Sequence, residues 1–296
     1  MTPLWPQLSG VAVRLVATDL DGTLLASDKT VSARTRRAIA AAEAAGVHVV
    51  ANTGRSLSTI PEDVLDTAIT YALASNGAVG YQFGAAGDDG QALGGGRAAE
   101  RRAGRVLFFE LIASETLRDI VDFFGERLPG TVFGVNRGVG ETFLAEPGYL
   151  TLARDGETVG DRRRMREAGL DELLAEPSIK IVARHRDFSP DQLLALLASS
   201  GLEGFHATTS GAPFLEIAAA GVTKASGLVR LASSLGVTRD QVVAVGDAKN
   251  DVEMLRWAQV GAAMANSVPE ALAAADIVLP GNDDDGLAQL LETLVA

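Results

Sequence analysis

The sequence predicts an α/β protein with a doubly wound, parallel, Rossmann-like sheet as its core and a smaller α/β domain inserted into it. Apolar, β-branched runs alternate with helical segments early in the chain and again near its end, as in parallel sheets that helices cover on both faces. Between these two regions the character of the sequence changes. The predicted core strands lie at residues 13–18, 47–52, 71–74, 242–247, 260–264 and 277–279.

The helices of the predicted core begin and end at recognisable residues. Ser32 is a good N-cap for a helix over residues 33–45, and Gly46 follows it as the residue that ends the helix. Pro61 marks an early turn of the next helix. Further helices are predicted at residues 225–235, 252–257, 269–275 and 287–295.

The inserted domain is predicted to comprise residues 83–215, which leaves residues 1–82 and 216–296 for the core. A glycine-rich stretch at residues 84–96 opens the insertion and is typical of a turn or hairpin tip. The predicted elements form a mixed, partly antiparallel sheet with helices. They are strands at 105–112, 131–135, 142–145, 179–183, 205–209 and 213–217, and helices at 114–128 and 190–199.

Composition and charge exclude several classes of function. The net charge of -12 argues against non-specific nucleic-acid binding, which needs a basic face. We interpret the basic cluster Arg162-Arg163-Arg164 as a solvated surface, because acidic residues surround it. Since there is no cysteine, disulfides, thiolate nucleophiles and Cys-ligated zinc are excluded. Neither a signal peptide nor a membrane span is recognisable, so we expect a cytoplasmic protein without membrane partners.

Two carboxylates, Asp19 and Asp21, follow the first core strand. Residues two apart in a strand face the same side, so both can face one small site. Two such carboxylates repel each other unless one is protonated or a cation lies between them, and Mg²⁺ is the ion that oxygen ligands hold most readily. The alternative is an Asx-turn in which Asp-Gly serves only the turn geometry.

Polar residues also follow the other core strands, at the edge where open α/β sheets bind ligands. Thr53 and Gly54 offer a hydroxyl and backbone donors to an anion. Lys224 begins a helix, where the dipole disfavours a cation unless an anion binds there too; the alternative is a lysine that faces solvent. A Mg²⁺ site beside such donors suits a phosphate. The remaining residues of this group are Arg55, Asn76, Asp247, Asn250 and Asp251.

Four of these segments resemble, in order, the four motifs of haloacid dehalogenase-type (HAD) phosphohydrolases. The Ser75-Asn76-Gly77 step and the position and size of the insertion are similar to the Cof-type branch (subfamily IIB), whose inserted domain is an α/β cap of the C2 type. Ala248 departs mildly from this branch, in which Gly or Ser often follows the aspartate. The four segments are Asp19-Leu20-Asp21-Gly22-Thr23-Leu24, Thr53-Gly54-Arg55, Gly221-Val222-Thr223-Lys224 and Gly246-Asp247-Ala248-Lys249-Asn250-Asp251.

The resemblance implies a role for each of these residues. Asp19 would be the nucleophile that forms an aspartyl-phosphate, and Asp21 would protonate the leaving alkoxide and then activate water. Mg²⁺ would be held by the Asp19 and Asp247 side chains and by the backbone carbonyl of Asp21. Asp251 would orient these ligands without contacting the ion. The residues implied in phosphate binding are Thr53, Gly54, Arg55, Asn76, Lys224 and Asn250.

The implied activity is the Mg²⁺-dependent hydrolysis of small phosphomonoesters, such as sugar phosphates, by a monomer or homodimer whose cap selects the substrate. Two alternatives stay open. A phosphosugar mutase of the same superfamily would use the same aspartyl-phosphate, and a non-catalytic protein that binds a phosphorylated metabolite would keep only the fold. Free inorganic phosphate as a product indicates hydrolysis, whereas an isomeric sugar phosphate indicates a mutase.

Overall fold

The computed structural model describes residues 5–84, 103–140, 142–152 and 165–296, and the chain divides into two compact units. Unit 1 comprises Met1–Gly54, Ile60–Phe108 and Thr223–Ala296, and unit 2 comprises Arg55–Thr59 and Phe109–Val222. Most of the glycine-rich stretch, from residue 85 onward, and the cluster Arg162-Arg163-Arg164 lie outside the described residues. Within those residues, every helix is too short or too polar to cross a bilayer.

The described elements number fourteen strands and nine α-helices. The strands are β1 (Leu15–Thr18), β2 (His48–Asn52), β3 (Tyr71–Ala74), β4 (Val79–Phe83), β5 (Gly104–Phe109), β6 (Val132–Arg137), β7 (Thr142–Ala145), β8 (Met165–Glu167), β9 (Lys180–Arg184), β10 (Phe205–Thr208), β11 (Leu215–Ala219), β12 (Val242–Gly246), β13 (Val260–Met264) and β14 (Ile277–Leu279). The helices are α1 (Ala33–Ala44), α2 (Glu62–Leu65), α3 (Ser114–Arg127), α4 (Leu170–Leu173), α5 (Pro190–Ala198), α6 (Lys224–Ser234), α7 (Val252–Trp257), α8 (Pro269–Ala274) and α9 (Gly286–Val295).

Unit 1 is built on an eight-stranded sheet with the order β14-β13-β12-β1-β2-β3-β4-β5. All neighbours from β14 to β3 run parallel, and β4 runs antiparallel to β3. Every residue of β1, β12 and β13 is buried. Strands that helices cover on both faces read as continuous apolar runs, which explains why these segments show no alternation. The predicted α/β core is therefore confirmed.

The helices of unit 1 pack in two groups. Helix α1 packs against α9, and α6, α7 and α8 pack in sequence against one another. Ser32 caps α1 as predicted, because its hydroxyl accepts a hydrogen bond from the Thr35 N–H at 3.0 Å. Gly46, at φ +83°, follows the end of the helix in the left-handed conformation that favours glycine.

Unit 2 contains a six-stranded sheet with the order β10-β11-β9-β6-β7-β8. Its described pairs are antiparallel except β7 with β8, so the predicted mixed sheet and the β10–β11 hairpin are present. One face carries apolar side chains such as Ile181 and Leu215, which join Phe124 of α3 and Leu193 of α5 in one core. Because successive side chains of a strand point to opposite faces, the residues of β9 and β11 on the other face are not part of this core.

One strand that was predicted in the inserted domain lies instead in the sheet of unit 1. Strand β5 joins the sheet of unit 1, where Gly104 approaches β4 so closely that a Cβ would lie 2.1 Å from the Gln82 carbonyl oxygen. Phe108 then packs in the core of unit 1 and stacks with the Arg230 guanidinium. Strand β11 pairs with β9 and β10 in unit 2 as predicted, but it extends to Ala219, past residue 215 where the inserted domain was predicted to end. An apolar run does not reveal which of two sheets it will join.

Candidate active site

Asp19 lies at the end of β1, in the middle of the parallel sheet. Its backbone N–H donates to the Val245 carbonyl of β12 at 2.9 Å, which continues the strand pairing by one residue. The residue is only 5% exposed. Its Oδ1 accepts a hydrogen bond from Lys224 Nζ at 2.7 Å. The carboxylate is therefore held in one orientation and shielded from bulk water.

Lys224 is the first residue of α6, and Thr223 caps that helix by accepting from the Ser226 N–H. The side chain is 1% exposed, so the alternative of a solvent-facing lysine is wrong. Its Nζ donates to Asp19 Oδ1 and, at 2.6 Å, to Asp251 Oδ1. Burial disfavours the charged ammonium, but the two carboxylates outweigh that effect and raise the pKa of Lys224, so it stays charged.

Asp251 connects this lysine to the turn that follows β12. Its Oδ2 accepts from the backbone N–H groups of Asp247 and Ala248, each at 2.9 Å. Both of its oxygens therefore have donors. Gly246 permits this arrangement, because a Cβ there would lie 2.4 Å from the Asp251 Cγ.

Asp247 approaches the first motif from the neighbouring strand. The Thr23 hydroxyl donates to its Oδ1 at 2.7 Å, and a Cβ on Gly22 would lie 2.4 Å from its Oδ2. Gly22 also has φ +84°, so both the close contact with Asp247 and the backbone conformation favour glycine at this position. Burial raises the pKa of Asp247 to about 6, against the opposing effect of the Thr23 hydrogen bond.

The carboxylates of Asp19, Asp247 and Asp251 bring one oxygen each within 4.8 Å of one another. Burial, reinforced by the other two carboxylates, raises the pKa of Asp19 well above its ordinary value, although Lys224 opposes the shift. One lysine cannot neutralise three neighbouring carboxylates, two of which are buried. A divalent cation with oxygen ligands would complete the compensation of charge.

Asp21 lies two residues beyond Asp19 and is more exposed. Lys29 Nζ lies 3.0 Å from Asp21 Oδ1, and about a third of the Asp21 side chain is accessible. A short backbone bridge between Asp21 and Leu25 and a hydrogen bond from the Asn266 amide to the Gly22 carbonyl fix the intervening turn. Asp21 thus combines a fixed backbone with an accessible side chain, which general acid–base catalysis requires.

Thr53, Asn76 and Asn250 connect the ends of β2 and β3 with the turn after β12. Thr53 is buried, and its carbonyl accepts from the Asn76 N–H at 2.9 Å. Asn76 has φ +57°, and its Oδ1 accepts from Asn250 Nδ2 at 2.9 Å. Gly54 follows Thr53 in unit 1, whereas Arg55 belongs to unit 2, where its guanidinium donates to the Thr59 carbonyl at 3.2 Å.

The sequence model of the haloacid dehalogenase-like hydrolases matches residues 16–84 and 95–291, which is most of the chain. The chain belongs to this family. It is a HAD-type phosphoric monoester hydrolase, as the four motifs predicted, and it is of the Cof-type branch, as the Ser75-Asn76-Gly77 step and the insertion predicted.

Individual relatives resemble the HAD chain over nearly its whole length. It is 26% identical over 286 residues to the 5-amino-6-(5-phospho-D-ribitylamino)uracil phosphatase YcsE of Bacillus subtilis, with 96% of this chain and 97% of YcsE covered. The solved structure of BT1666 from Bacteroides thetaiotaomicron, described among HAD superfamily phosphatases, superposes with a TM-score of 0.77 at 21% identity and 97% coverage of both chains. The HAD subclass IIB sugar phosphatase BT4131 gives 0.75 at 19% identity, with 95% and 98% covered. At these identities, the structural likenesses show the fold alone.

Several residues that lie in the HAD motifs or contact them were absent from the predicted site. The Thr23 hydroxyl binds Asp247, the Asn52 amide donates to the Lys224 carbonyl at 3.0 Å, and Lys29 pairs with Asp21. Asn52 could have been found, because a fully buried amide at the end of an apolar strand needs a partner. Lys29 could not, because nothing in a polar turn indicates which carboxylate its side chain reaches.

Proposed function

We propose that this enzyme hydrolyses small phosphomonoesters, such as sugar phosphates or similar metabolites, in a Mg²⁺-dependent reaction through an aspartyl-phosphate on Asp19. The observation that carries the proposal is the buried Asp19 carboxylate, held by Lys224 and accompanied by Asp247 and Asp251. A carboxylate nucleophile needs positive charge beside it to approach a phosphate dianion.

The donor set fits Mg²⁺. Burial, together with the neighbouring carboxylates, raises the pKa of Asp19 and of Asp247, so a cation beside them would favour their ionised forms, and all the candidate ligands are oxygens. Asp19, Asp247 and the backbone carbonyl of Asp21 would hold the ion. Both oxygens of Asp251 already accept hydrogen bonds, from Lys224 and from two backbone N–H groups. Asp251 would therefore orient the ligands without contacting the ion. The bound ion would neutralise phosphoryl oxygens beside the nucleophile.

In the first step, an oxygen of the Asp19 carboxylate attacks phosphorus, and the bond from phosphorus to the leaving oxygen breaks. Asp21 gives its proton to the departing alkoxide, which leaves as an alcohol. Lys224 keeps Asp19 oriented and balances charge on the transferring group. Thr53, Gly54, Asn76 and Asn250 lie on connected loops that suit phosphoryl-oxygen binding, and Arg55 is included as a residue of the second motif.

In the second step, Asp21, now ionised, accepts a proton from water as the water oxygen attacks the phosphorus of the aspartyl-phosphate. The acyl phosphate bond breaks, inorganic phosphate leaves and Asp19 is regenerated as a carboxylate. The accessible side chain of Asp21 on a fixed backbone supports this double role.

Unit 2 is proposed as the substrate-selecting cap. It has a hydrophobic core of its own, and most of its residues lie between the second and third motifs in the sequence. Because the relative YcsE is named for a ribityl phosphate substrate, phosphorylated polyols belong in any test of this enzyme.

The test is phosphate release from a panel of sugar phosphates, ribityl phosphates, nucleotides, and flavin and pyridoxal phosphates, with Mg²⁺ or with EDTA. We expect release from one class of compounds with Mg²⁺ only. Formation of an isomeric sugar phosphate without free phosphate would indicate a mutase instead. No turnover of any compound by the folded protein would favour a non-catalytic binding protein.

A further inference from the structure

Unit 2 carries a buried ion pair on the face of its sheet that lies opposite α3 and α5. Lys180 on β9 and Glu216 on β11 lie 2.6 Å apart between Nζ and Oε1. They are 6% and 2% exposed. Their strand neighbours Ile181 and Ile217 point to the other face and form its apolar core, as alternation requires.

The carboxylate of Glu216 is only half satisfied. Its Oε1 accepts from Lys180, but its Oε2 is buried and has no hydrogen-bond partner among the residues that the structure describes. Leaving a buried carboxylate oxygen without a donor is costly, and native proteins do so rarely. Apolar replacement of such a pair often stabilises a fold, so packing alone does not explain it. The missing partner is a hydrogen-bond donor.

Aromatic side chains hold the basic groups of this face in place. The Lys180 ammonium lies 5.9 Å from the centre of the Phe214 ring, and the Arg184 guanidinium lies 5.3 Å from the same ring and 4.8 Å from that of Tyr149. These contacts restrain the two basic side chains, and Lys180 in turn holds the Glu216 carboxylate. Groups fixed before a ligand arrives lose little entropy when it binds.

An acceptor beside a donor fits a pair of neighbouring hydroxyl groups. One hydroxyl donates to Glu216 Oε2, and its neighbour accepts from Lys180. Asn136 lies opposite Lys180 in the β6–β9 register, and Thr208 lies opposite Glu216 in the β10–β11 register, so further polar groups share this face. We propose that Glu216 and Lys180 bind the vicinal hydroxyls of a polyol or sugar leaving group, an assignment that rests on the proposed phosphatase function.

The test compares two substrates of the same enzyme, a hydroxyl-rich pentitol or hexose phosphate and phenyl phosphate, which lacks hydroxyls on its leaving group. Glu216→Gln lowers the ratio of their kcat/KM values by roughly tenfold or more, because the ligand loses a hydrogen bond to a charged acceptor. The matched control is Glu203→Gln, an exposed glutamate of the same unit, which leaves the ratio unchanged.

A second variant separates recognition from folding. Lys180→Met combined with Glu216→Leu replaces the pair by apolar side chains, which a fold often tolerates. We expect this double variant to fold and to lose the preference for hydroxyl-rich substrates. If it and Glu216→Gln both keep the wild-type ratio, the pair is structural only and the proposal is wrong. If Glu216→Gln instead lowers kcat/KM, relative to phenyl phosphate, only for phosphoethanolamine, the site binds an amine and the hydroxyl assignment is overturned.

Failure of the proposed function is recognised separately. If wild-type protein hydrolyses no phosphomonoester, binding of free ribitol and glucose is measured by saturation-transfer NMR with wild type and Glu216→Gln. Binding by wild type that Glu216→Gln abolishes supports the site without any turnover. Equal binding, or none, in both proteins overturns it.

Discussion

Both units bury a lysine against a carboxylate, and the two pairs differ in what surrounds them. In unit 1, Lys224 lies between Asp19 and Asp251 at the ends of parallel strands, and both oxygens of Asp251 have donors. In unit 2, Lys180 binds Glu216 in the middle of a mixed sheet, and Glu216 Oε2 has no partner within the described residues. Asp251, which positions Lys224, has donors on both oxygens, whereas the incompletely compensated carboxylates of Asp19, Asp247 and Glu216 mark where ligands are expected.

The largest effect should come from Asp19→Asn. Without the nucleophilic carboxylate we expect no detectable phosphate release, because the amide cannot form the covalent intermediate. The fold should survive, since the substitution removes a buried carboxylate whose pKa is raised. Circular dichroism and phosphate release check both points. Normal turnover by a folded Asp19→Asn protein would contradict the assignment of the nucleophile.

Lys224→Met should follow in size. It leaves Asp19 and Asp251 without their shared cation, so we expect a loss of about 3–5 kcal/mol in unfolding free energy. Phosphate release should fall by roughly a hundredfold or more, because a charge that stabilises the transition state is lost. Arg34→Met, which removes an exposed ion pair with Glu292, is the control and should change stability far less. Similar urea midpoints for the two variants would argue against the account of Lys224.

Magnesium should stabilise the protein in a pH-dependent way. In the metal-free protein the pKa of Asp247 is raised from 3.8 to about 6, so its contribution to stability is present at low pH and is lost as the pH rises through about 6. The ion needs the ionised carboxylate, so the increase in Tm given by Mg²⁺ should be larger at about pH 7.5 than at about pH 5. An equal increase at both values would place the ion elsewhere.

Gly22→Ala should weaken Mg²⁺ binding more than it weakens the fold. The new Cβ would lie 2.4 Å from Asp247 Oδ2, and the position has φ +84°. Gly211→Ala in unit 2 is the matched control, because Gly211 has φ +78° and open space around it. Both variants should lose about 1 kcal/mol of stability from backbone strain. Only Gly22→Ala should lower the affinity for Mg²⁺ in calorimetry, and a loss in both would weaken the assignment.

The smallest effect concerns a helix cap in unit 2. Ser189 and Gln192 form a capping box at the start of α5, with reciprocal hydrogen bonds to backbone N–H groups. Ser189→Ala should cost about 1 kcal/mol of unfolding free energy. The kcat/KM ratio between hydroxyl-rich and phenyl phosphates should stay as in wild type. A changed ratio would show that any destabilisation of unit 2 alters selectivity. The effect of Glu216→Gln could then not be assigned to a lost substrate contact.

The first, second and fourth HAD motifs could be predicted because each combines a buried strand with polar residues directly after it. Asp19 and Asp247 are conspicuous in this way even without a structure, whereas Lys224 stands out as a cation at the start of a helix. Asn52 and Thr23 were not predicted as site residues, since Asn52 was assigned to a strand and Thr23 to the turn after Asp21. The placement of β5 was missed because its apolar residues fit either sheet equally well.

The Lys180–Glu216 pair could not be predicted from the sequence. The two residues lie in separate strands and are related only by the register of β9 and β11. Each stands singly among apolar neighbours, a pattern equally typical of a strand with one solvated face. Only the observed burial distinguishes a solvated face from one that encloses charge.

The most direct test of the central claim is to trap the covalent intermediate. Asp21→Asn is mixed with phenyl phosphate and Mg²⁺, quenched in acid and analysed by mass spectrometry of the tryptic peptide that contains Asp19. A phenolate leaves without a strong general acid, whereas hydrolysis of the intermediate needs the base that this variant lacks, so a phosphoryl group should accumulate on Asp19. The Asp19→Asn/Asp21→Asn protein should carry none. Turnover by Asp21→Asn with an unmodified Asp19, or a phosphoryl group on another residue, would contradict the account.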